Sequence, residues 1–250
     1  MIKYIFCISP GRSGTTYLSK IFENCYNTIS LHEPSPVCND EPMYEFLKGN
    51  SNSMDIVAEE KYKDILNKQT NKKIYIETNH CFIKGFGWYL SNYLNCDEVG
   101  VIILNRDKTE VVKSLEKNVR SAVSVLSKKW LITPSKKEPI KRPPTIIFNP
   151  QFDYYIMKFC NRIQMFMYSN RIKLNIFQRI LNKYTHMIFK WYYDEIYLMG
   201  NRFKNQHKDI SFYAVDINDI NNIQKVYKML DYFKITPCES LKEIINKPVN

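Results

Sequence analysis

The stretch "ISPGRSGTTYLSKIF", residues 8–22, decides how the sequence folds. It joins a short apolar run to a segment in which Leu18 and Phe22 are four residues apart, as on one face of a helix. The chain has only seven glycines in 250 residues, and two of them, Gly11 and Gly14, lie in this junction. The stretch therefore predicts a strand, a tight glycine-containing turn and a helix.

A strand, a glycine turn and a helix together are typical of phosphate binding, because the helix start presents unpaired N–H groups and the positive end of its dipole. Gly11 and Gly14 let the backbone curl around an anion. Arg12 adds a positively charged guanidinium group, which can donate two parallel hydrogen bonds to an anion. The hydroxyl donors are Ser13, Thr15 and Thr16. An ordinary strand-to-helix turn with a Ser or Thr cap is the alternative interpretation. The turn is not a Walker A motif, since Gly14 is not followed by lysine, and this disfavours ordinary ATP or GTP binding.

The composition is that of an ordinary globular protein, with 44% hydrophobic and 24% charged residues. No apolar run is long enough to span a membrane. The first strand begins directly after Met1, which leaves no room for a signal peptide, so we expect a cytoplasmic location. The seven cysteines are odd in number and form no CxxC pair, which favours reduced thiols used as small core residues.

The net charge of +11 favours anionic partners, namely nucleotide phosphates, acidic glycans, nucleic acid or a membrane surface. A lysine-rich solvated surface is the alternative. No nucleic-acid-binding motif accompanies the charge, so we predict no nucleic-acid partner. We also predict no metal site, because the His32-Glu33 pair cannot begin an HExxH motif when position 36 is proline.

Strands and helical patterns alternate along the chain, which predicts an α/β fold with a mostly parallel central sheet flanked by helices. The predicted strands are Lys3–Ile8, Thr28–His32, Lys73–Glu77, Gly100–Asn105 and Ile210–Asp216. The predicted helices between and after them are Thr15–Tyr26, Asp55–Leu66, Thr109–Leu126 and Ile223–Phe233. We interpret residues 1–250 as a single domain, with a proline-rich loop or flap at 127–150 and a helical insertion at 151–205 that makes the C-terminal half helical.

Polar residues follow the second, third and fourth predicted strands. They are His32-Glu33, His80 and Arg106. In open parallel sheets the ligand crevice lies outside the carboxyl ends of the strands, so these side chains should meet the glycine turn at one edge. Singly, each also has an ordinary interpretation as a solvated turn residue, a loop histidine or a surface ion-pair partner.

Two of these segments carry a resemblance to a known family. "SPGRSGTTYL", residues 9–18, resembles the 5′-phosphosulfate loop of the sulfotransferases that use 3′-phosphoadenosine 5′-phosphosulfate (PAPS). "VIILNRDKTEVVKSL", residues 101–115, resembles the same family's 3′-phosphate element, with Arg106 and Ser114 eight residues apart. The segments at 187–199 and 210–235 resemble later parts of the family more weakly.

The resemblance implies a P-loop NTPase-like sulfotransferase architecture, with PAPS as co-substrate, adenosine 3′,5′-bisphosphate as product and no metal. It places the 5′-phosphosulfate on the turn and the 3′-phosphate on Arg106 and Ser114. The residues to which the resemblance assigns binding of the 5′-phosphosulfate are Gly11, Arg12, Ser13, Gly14, Thr15 and Thr16. Arg12 would also stabilise the leaving phosphate during transfer. An arginine here, where many cytosolic members have lysine, favours the carbohydrate or bacterial-type branch.

The resemblance leaves two candidates for the general base. Glu33 matches the Glu-Pro context of carbohydrate-type members and is preferred, while His80 matches the histidine of cytosolic members. The acceptor would be a hydroxyl of a carbohydrate or small metabolite. The family's glycine- and lysine-rich adenosine loop is absent, so its role either passes to the basic loop Lys136–Arg142 or is lost. A nucleotide-dependent kinase with a degenerate phosphate loop and a non-catalytic anion-binding protein are the alternatives.

Overall fold

A computed structural model describes residues 1–69, 73–169 and 175–245. In this part of the chain five parallel strands form one sheet, in the order β2-β3-β1-β4-β5, with helices on both faces. The strands are β1 (Tyr4–Ile8), β2 (Thr28–Leu31), β3 (Ile74–Glu77), β4 (Val99–Asn105) and β5 (Ser211–Asp216). The predicted α/β fold is confirmed, and the sheet is wholly rather than mostly parallel.

Helices occupy most of the remaining described chain. They are α1 (Thr15–Glu23), α2 (Asp40–Leu47), α3 (Asn52–Lys68), α4 (Lys108–Asn118), α5 (Val125–Trp130), α6 (Pro150–Ser169), α7 (Asn175–Gln206), α8 (Ile223–Tyr232) and α9 (Leu241–Ile245). Short 3₁₀ turns at Phe82–Lys84, Phe86–Asn92 and Cys96–Glu98 connect β3 to β4. No helix in the described residues is both long and apolar enough to cross a bilayer.

The predicted helix Thr109–Leu126 is wrong in one respect, because it divides into α4 and α5. Arg120 adopts a left-handed φ of 68°, and its N–H bonds back to Leu115, which closes α4. Ser124 then caps the start of α5 by accepting from the N–H of Ser127. The helical spacing of apolar residues continues across this break in the sequence, because Val119 and Val123 are four positions apart. Of the predicted helical insertion, residues 170–174 lie outside the described chain.

The central strand β1 is buried on both faces and divides the core into two layers. Tyr4, Phe6 and Ile8 pack into one layer, which α3 and α7 complete. Ile5 and Cys7 pack into the other, which α1, α8 and α9 cover. The alternation follows from the period of two along a strand. All seven cysteines are free and four are buried, which confirms the reduced core thiol for those four: Cys7, Cys25, Cys38 and Cys81.

The strand register brings the carboxyl ends of four strands to one edge. Phe6 of β1 pairs with Glu77 of β3, and Glu77 pairs in turn with Leu31 of β2. On the other side Ile8 pairs with Ile103 of β4. The loops that follow β1, β2, β3 and β4 therefore leave the sheet side by side, around the point where the chain crosses from one half of the sheet to the other.

Candidate active site

The turn between β1 and α1 has the backbone geometry of an anion-binding nest. Arg12 and Gly14 have left-handed φ angles of 71° and 93°, and this alternation points successive N–H groups into one concavity. In the described structure the N–H groups of residues 12–16 have no hydrogen-bond acceptor. Gly14 precedes α1 without a side-chain cap, so the first helical N–H groups stay open.

The two glycines of the turn differ in how strictly they are required, because only Gly14 lacks room for a side chain. A Cβ on Gly14 would lie 2.3 Å from Cδ1 of Ile217, and its left-handed φ independently favours glycine. A Cβ on Gly11 would lie 3.4 Å from the ring of His80. The Gly11 N–H donates to the hydroxyl of Tyr192 at 3.0 Å, so this N–H is already used within the protein. The turn is thus held from α7 on one side and from the end of β5 on the other.

Ser13 carries an unsatisfied buried hydroxyl within the turn. Its side chain is fully buried, and Oγ has no hydrogen-bond partner in the described residues. A buried polar atom without a partner is uncommon and points to a ligand or water in that position.

Arg12, Arg106 and Ser114 converge beside the turn, as the sequence predicted for one binding edge. The Nη1 of Arg106 donates to the backbone carbonyl of Arg12 at 2.8 Å. The Nε of Arg12 donates to Oγ of Ser114 on α4 at 3.3 Å. Asn118, one helical turn further along α4, donates from Nδ2 to the Ser114 carbonyl at 2.7 Å. Arg106 thus braces the backbone of Arg12, while the Arg12 side chain reaches Ser114 on α4.

His32 links the loop after β2 to the start of α1. Its Nδ1 lies 2.9 Å from the carbonyl of Thr78, which can only accept, so Nδ1 carries a proton. In the neutral ring Nε2 then accepts from the hydroxyl of Thr16 at 2.9 Å. The Thr16 hydroxyl is oriented by this contact.

Glu33, His80 and Lys84 form a chain of contacts that ends in the protein interior. The Nζ of Lys84 donates to Nδ1 of His80 at 2.6 Å and also to the carbonyl of Trp130. Because Nδ1 accepts, the proton of the neutral His80 ring lies on Nε2, which faces Oε1 of Glu33 at 3.3 Å. Burial, followed by the charge of Lys84, lowers the pKa of His80 well below its ordinary value. Burial also lowers the pKa of Lys84, which is fully enclosed.

The turn that carries Glu33 is held in place by a buried ion pair beneath it. Glu33 itself has a left-handed φ of 47°. Lys61 of α3 donates to the carbonyl of Pro34 at 2.9 Å and lies 2.7 Å from the carboxylate of Glu77. Both charged side chains are fully buried, and Tyr75 and Asn79 donate the remaining hydrogen bonds to Glu77. The Glu33 backbone is thereby fixed to the end of β3.

The turn after β1, together with Glu33, His80 and Arg106, lines one cavity of about 710 Å³ at the carboxyl edge of the sheet. Three of its lining residues are cationic, namely Arg12, Lys20 and Arg106, whereas Glu33 is the one acidic lining residue. Leu126 of α5 and Trp130 form part of the apolar wall. The volume suits a nucleotide-sized ligand with a polar end and an apolar end.

The structure brings the predicted site residues together, and it adds three that the sequence reasoning missed. Gly11, Arg12, Gly14, Thr15, Thr16, Glu33, His80 and Arg106 line the cavity, and Ser13 and Ser114 lie directly behind it. The missed residues are Lys20, Lys84 and Asn118. Lys20 and Asn118 each follow a predicted site residue by four positions on a helix, the spacing that places two side chains on one helical face. Lys84 instead reaches His80 through the 3₁₀ turn at Phe82–Lys84.

The basic loop residues Lys136–Arg142 are not among those that line this cavity. Lys136 is buried and paired with Glu195 of α7 at 3.2 Å. The backbone N–H groups of Ile140 and Lys141 donate to the same carboxylate. Lys136 and Lys137 line a separate cavity of about 370 Å³. The structure therefore gives this loop an anchoring contact with α7 and no contact with the turn between β1 and α1.

Comparison with known proteins identifies no family for the chain. No family model matches it, and no curated protein matches it. Among solved structures, a sulfotransferase domain from the curacin biosynthetic pathway is similar, with a TM-score of 0.48 and 11% sequence identity over 99% of this chain and 79% of that chain. A likeness at this level says nothing of activity, so function must be argued from the residues of the cavity.

Proposed function

We propose that the protein is a sulfotransferase that moves a sulfuryl group from PAPS to a hydroxyl of a carbohydrate or small-molecule acceptor, with Glu33 as the general base. The observation that carries this proposal is the meeting of three elements around one cavity. They are the open N–H groups of residues 12–16, the side chains of Arg106 and Ser114, and the carboxylate of Glu33. The histidine beside Glu33 has both ring nitrogens already engaged within the protein.

The donor fits the residues that are present. The open N–H groups and the unsatisfied Ser13 hydroxyl form a cradle for the 5′-phosphosulfate. Arg106 and Ser114 would hold the second phosphate, on the ribose 3′ position, which distinguishes PAPS from ATP. Lys20 and Asn118 add polar groups to the same wall. Gly11 would let the backbone approach the donor closely, but its N–H would not bind the donor, since the Tyr192 hydroxyl already accepts a hydrogen bond from it.

When bound, PAPS supplies the sulfuryl group, and adenosine 3′,5′-bisphosphate is the product that leaves. Arg12 and the N–H groups of the turn would stabilise negative charge as it develops on the phosphate oxygen. They are fixed before reaction, because the left-handed φ angles and the Arg106 contact hold the turn. The Thr16 hydroxyl proton is directed at His32, so Thr16 would donate to the same anion through its backbone N–H.

The hydrogen bonds around His80 favour Glu33 as the group that takes the acceptor's proton. Lys84 occupies the Nδ1 lone pair of His80, and Nε2 faces Glu33 with its proton. His80 therefore has no free lone pair for an acceptor hydroxyl, whereas Glu33 retains Oε2. His80 would orient the Glu33 carboxylate toward the acceptor.

The proposal is tested first by calorimetry with adenosine 3′,5′-bisphosphate in the presence of EDTA. We expect binding without Mg²⁺, because the cradle uses protein cations and N–H groups. Binding of ATP with Mg²⁺, together with no binding of the bisphosphate, would instead support a kinase. Binding of the bisphosphate without transfer of label from PAPS to any of a panel of hydroxyl acceptors would support a non-catalytic anion-binding protein.

Arg106→Ala separates recognition of the second phosphate from damage to the turn. We expect affinity for the bisphosphate to fall by about 10- to 100-fold, the range for a lost charged hydrogen bond, while affinity for adenosine 5′-monophosphate changes little. Equal losses for the two nucleotides would mean that Arg106 acts only by bracing Arg12, and the assignment of the 3′-phosphate to Arg106 would then be wrong.

A further inference from the structure

The outward face of α6 carries aromatic side chains where a surface helix normally carries polar ones. Phe152, Tyr155 and Phe159 are 46%, 54% and 63% exposed. Their spacing of three and then four residues places them within about 60° on one side of the helix. Asp153 and Met157 occupy the opposite side and are buried. We call the three exposed residues the aromatic stripe.

The stripe continues into the segment before α6. Phe148 is 70% exposed, and its ring contacts Phe152 edge-on at 5.2 Å between centroids. Ile147 beside it is 50% exposed. A contiguous group of exposed large apolar residues, unlike scattered single ones, marks an interaction surface.

The sequence that flanks the stripe is strongly basic. Between Glu138 and Asp194 the sequence has nine lysines and arginines and one acidic residue, Asp153. The Asp153 carboxylate is buried and accepts the N–H groups of Ile146, Ile147 and Phe148, so it does not oppose these cations at the surface. Arg162 is exposed one turn beyond Phe159 on the same side of α6, and α7, which packs against α6, exposes Arg179 and Lys183.

We infer that this surface docks on the headgroup region of an anionic lipid bilayer. Phenylalanine and tyrosine beside arginine on one face of α6, with further cations on the neighbouring α7, are suited to the boundary between headgroups and acyl chains. Anionic lipids would attract the basic residues. Self-association through this face would bring the same cations of two copies together, which like-charge repulsion opposes. The surface would hold the protein at the membrane without any helix crossing it, and it does not depend on the reaction in the cavity.

The inference is tested by co-sedimentation of the full chain with vesicles of phosphatidylcholine, with or without 30 mol% phosphatidylserine. We expect binding to the anionic vesicles and at least tenfold weaker binding to the neutral ones. Tyr155→Ser with Phe159→Ser should weaken binding at least tenfold. The matched control is Ile56→Ser with Leu66→Ser, which removes two exposed apolar residues from α3 and should bind as the unaltered protein does.

A second pair of variants tests the charge. Arg162→Gln with Arg179→Gln should lower partitioning by about 30-fold, at about fivefold for each cation near the surface. Lys63→Gln with Lys225→Gln, distant in sequence and outside this surface, should have no such effect. Equal binding to both kinds of vesicle, or unchanged binding by the stripe variant, would overturn the inference. So would a dimer in light scattering that the stripe variant converts to a monomer, because that result assigns the face to a second copy of the chain.

Discussion

At the scale of single residues, Oε1 of Glu33 lies 3.3 Å from Nε2 of His80, yet only Glu33 has a free lone pair with which to accept a proton from the acceptor hydroxyl. Lys84 occupies Nδ1 of His80, and Nε2 faces Glu33 with its proton. We therefore predict that Glu33→Gln lowers turnover by about 10²- to 10⁴-fold, the usual contribution of a general base, with little change in calorimetric binding of adenosine 3′,5′-bisphosphate. His80→Gln, which keeps a donor toward Glu33, should cost much less. The reverse ranking of the two variants would make His80 the base.

His80 also makes the stability of the fold sensitive to mild acid. Its pKa is lowered in the folded protein, so below about pH 6.5 the unfolded chain binds a proton that the folded chain does not. Stability must then decrease as the pH falls below that value, by at most about 1.4 kcal/mol per pH unit for this one group. His80→Gln should make the dependence between pH 6.5 and 5 shallower. Urea unfolding at several pH values measures this, and identical slopes for both proteins would contradict the prediction.

At the scale of elements, the buried Lys61–Glu77 pair joins α3 to the end of β3 beneath the Glu33 turn. Removing one partner of such a pair leaves an uncompensated charge in the core. We predict that Lys61→Met lowers the free energy of unfolding by about 3–5 kcal/mol in urea titrations. It should also weaken transfer more than donor binding, because Lys61 positions Pro34 and hence Glu33.

Lys63 provides the matched control on the same helix. It pairs with Glu59, and both side chains are more than half exposed. Lys63→Met should therefore change the free energy of unfolding far less than Lys61→Met does. A second variant, Lys61→Met with Glu77→Gln, should recover part of the loss, since no buried charge remains without its partner. If the two single lysine variants were equally stable, the buried pair would have no such role.

The same elements show what sequence patterns can and cannot predict. β1 was predicted to within one residue, because a short apolar run between breakers has few other ways to be buried. The division of α4 from α5 was missed, because a left-handed Arg120 leaves no signature in hydrophobic spacing. The contact of Lys84 with His80 was also missed. It depends on the 3₁₀ turn at Phe82–Lys84, and tertiary packing rather than local propensity decides that turn.

At the scale of the whole molecule, the turn between β1 and α1 touches both layers of the core. Gly11 bonds to Tyr192, a member of the layer built with α7, and Gly14 packs on Ile217, which borders the layer under α1 and α8. A ligand that orders this turn is therefore coupled to cooperative unfolding of the entire chain rather than to one loop. Ligand binding to the folded state alone must raise the thermal midpoint.

We predict that adenosine 3′,5′-bisphosphate at 100 times its dissociation constant stabilises the protein by about 2.7 kcal/mol. For a chain of this size that corresponds to a rise of roughly 5–10 °C in the thermal midpoint. Calorimetric scans without Mg²⁺ measure the shift. Arg106→Ala at the same nucleotide concentration should show a much smaller rise, because fewer of its molecules are occupied. An equal rise in the two proteins, or a rise with ATP and Mg²⁺ that exceeds the one with the bisphosphate, would contradict selection for a second phosphate at this edge of the sheet.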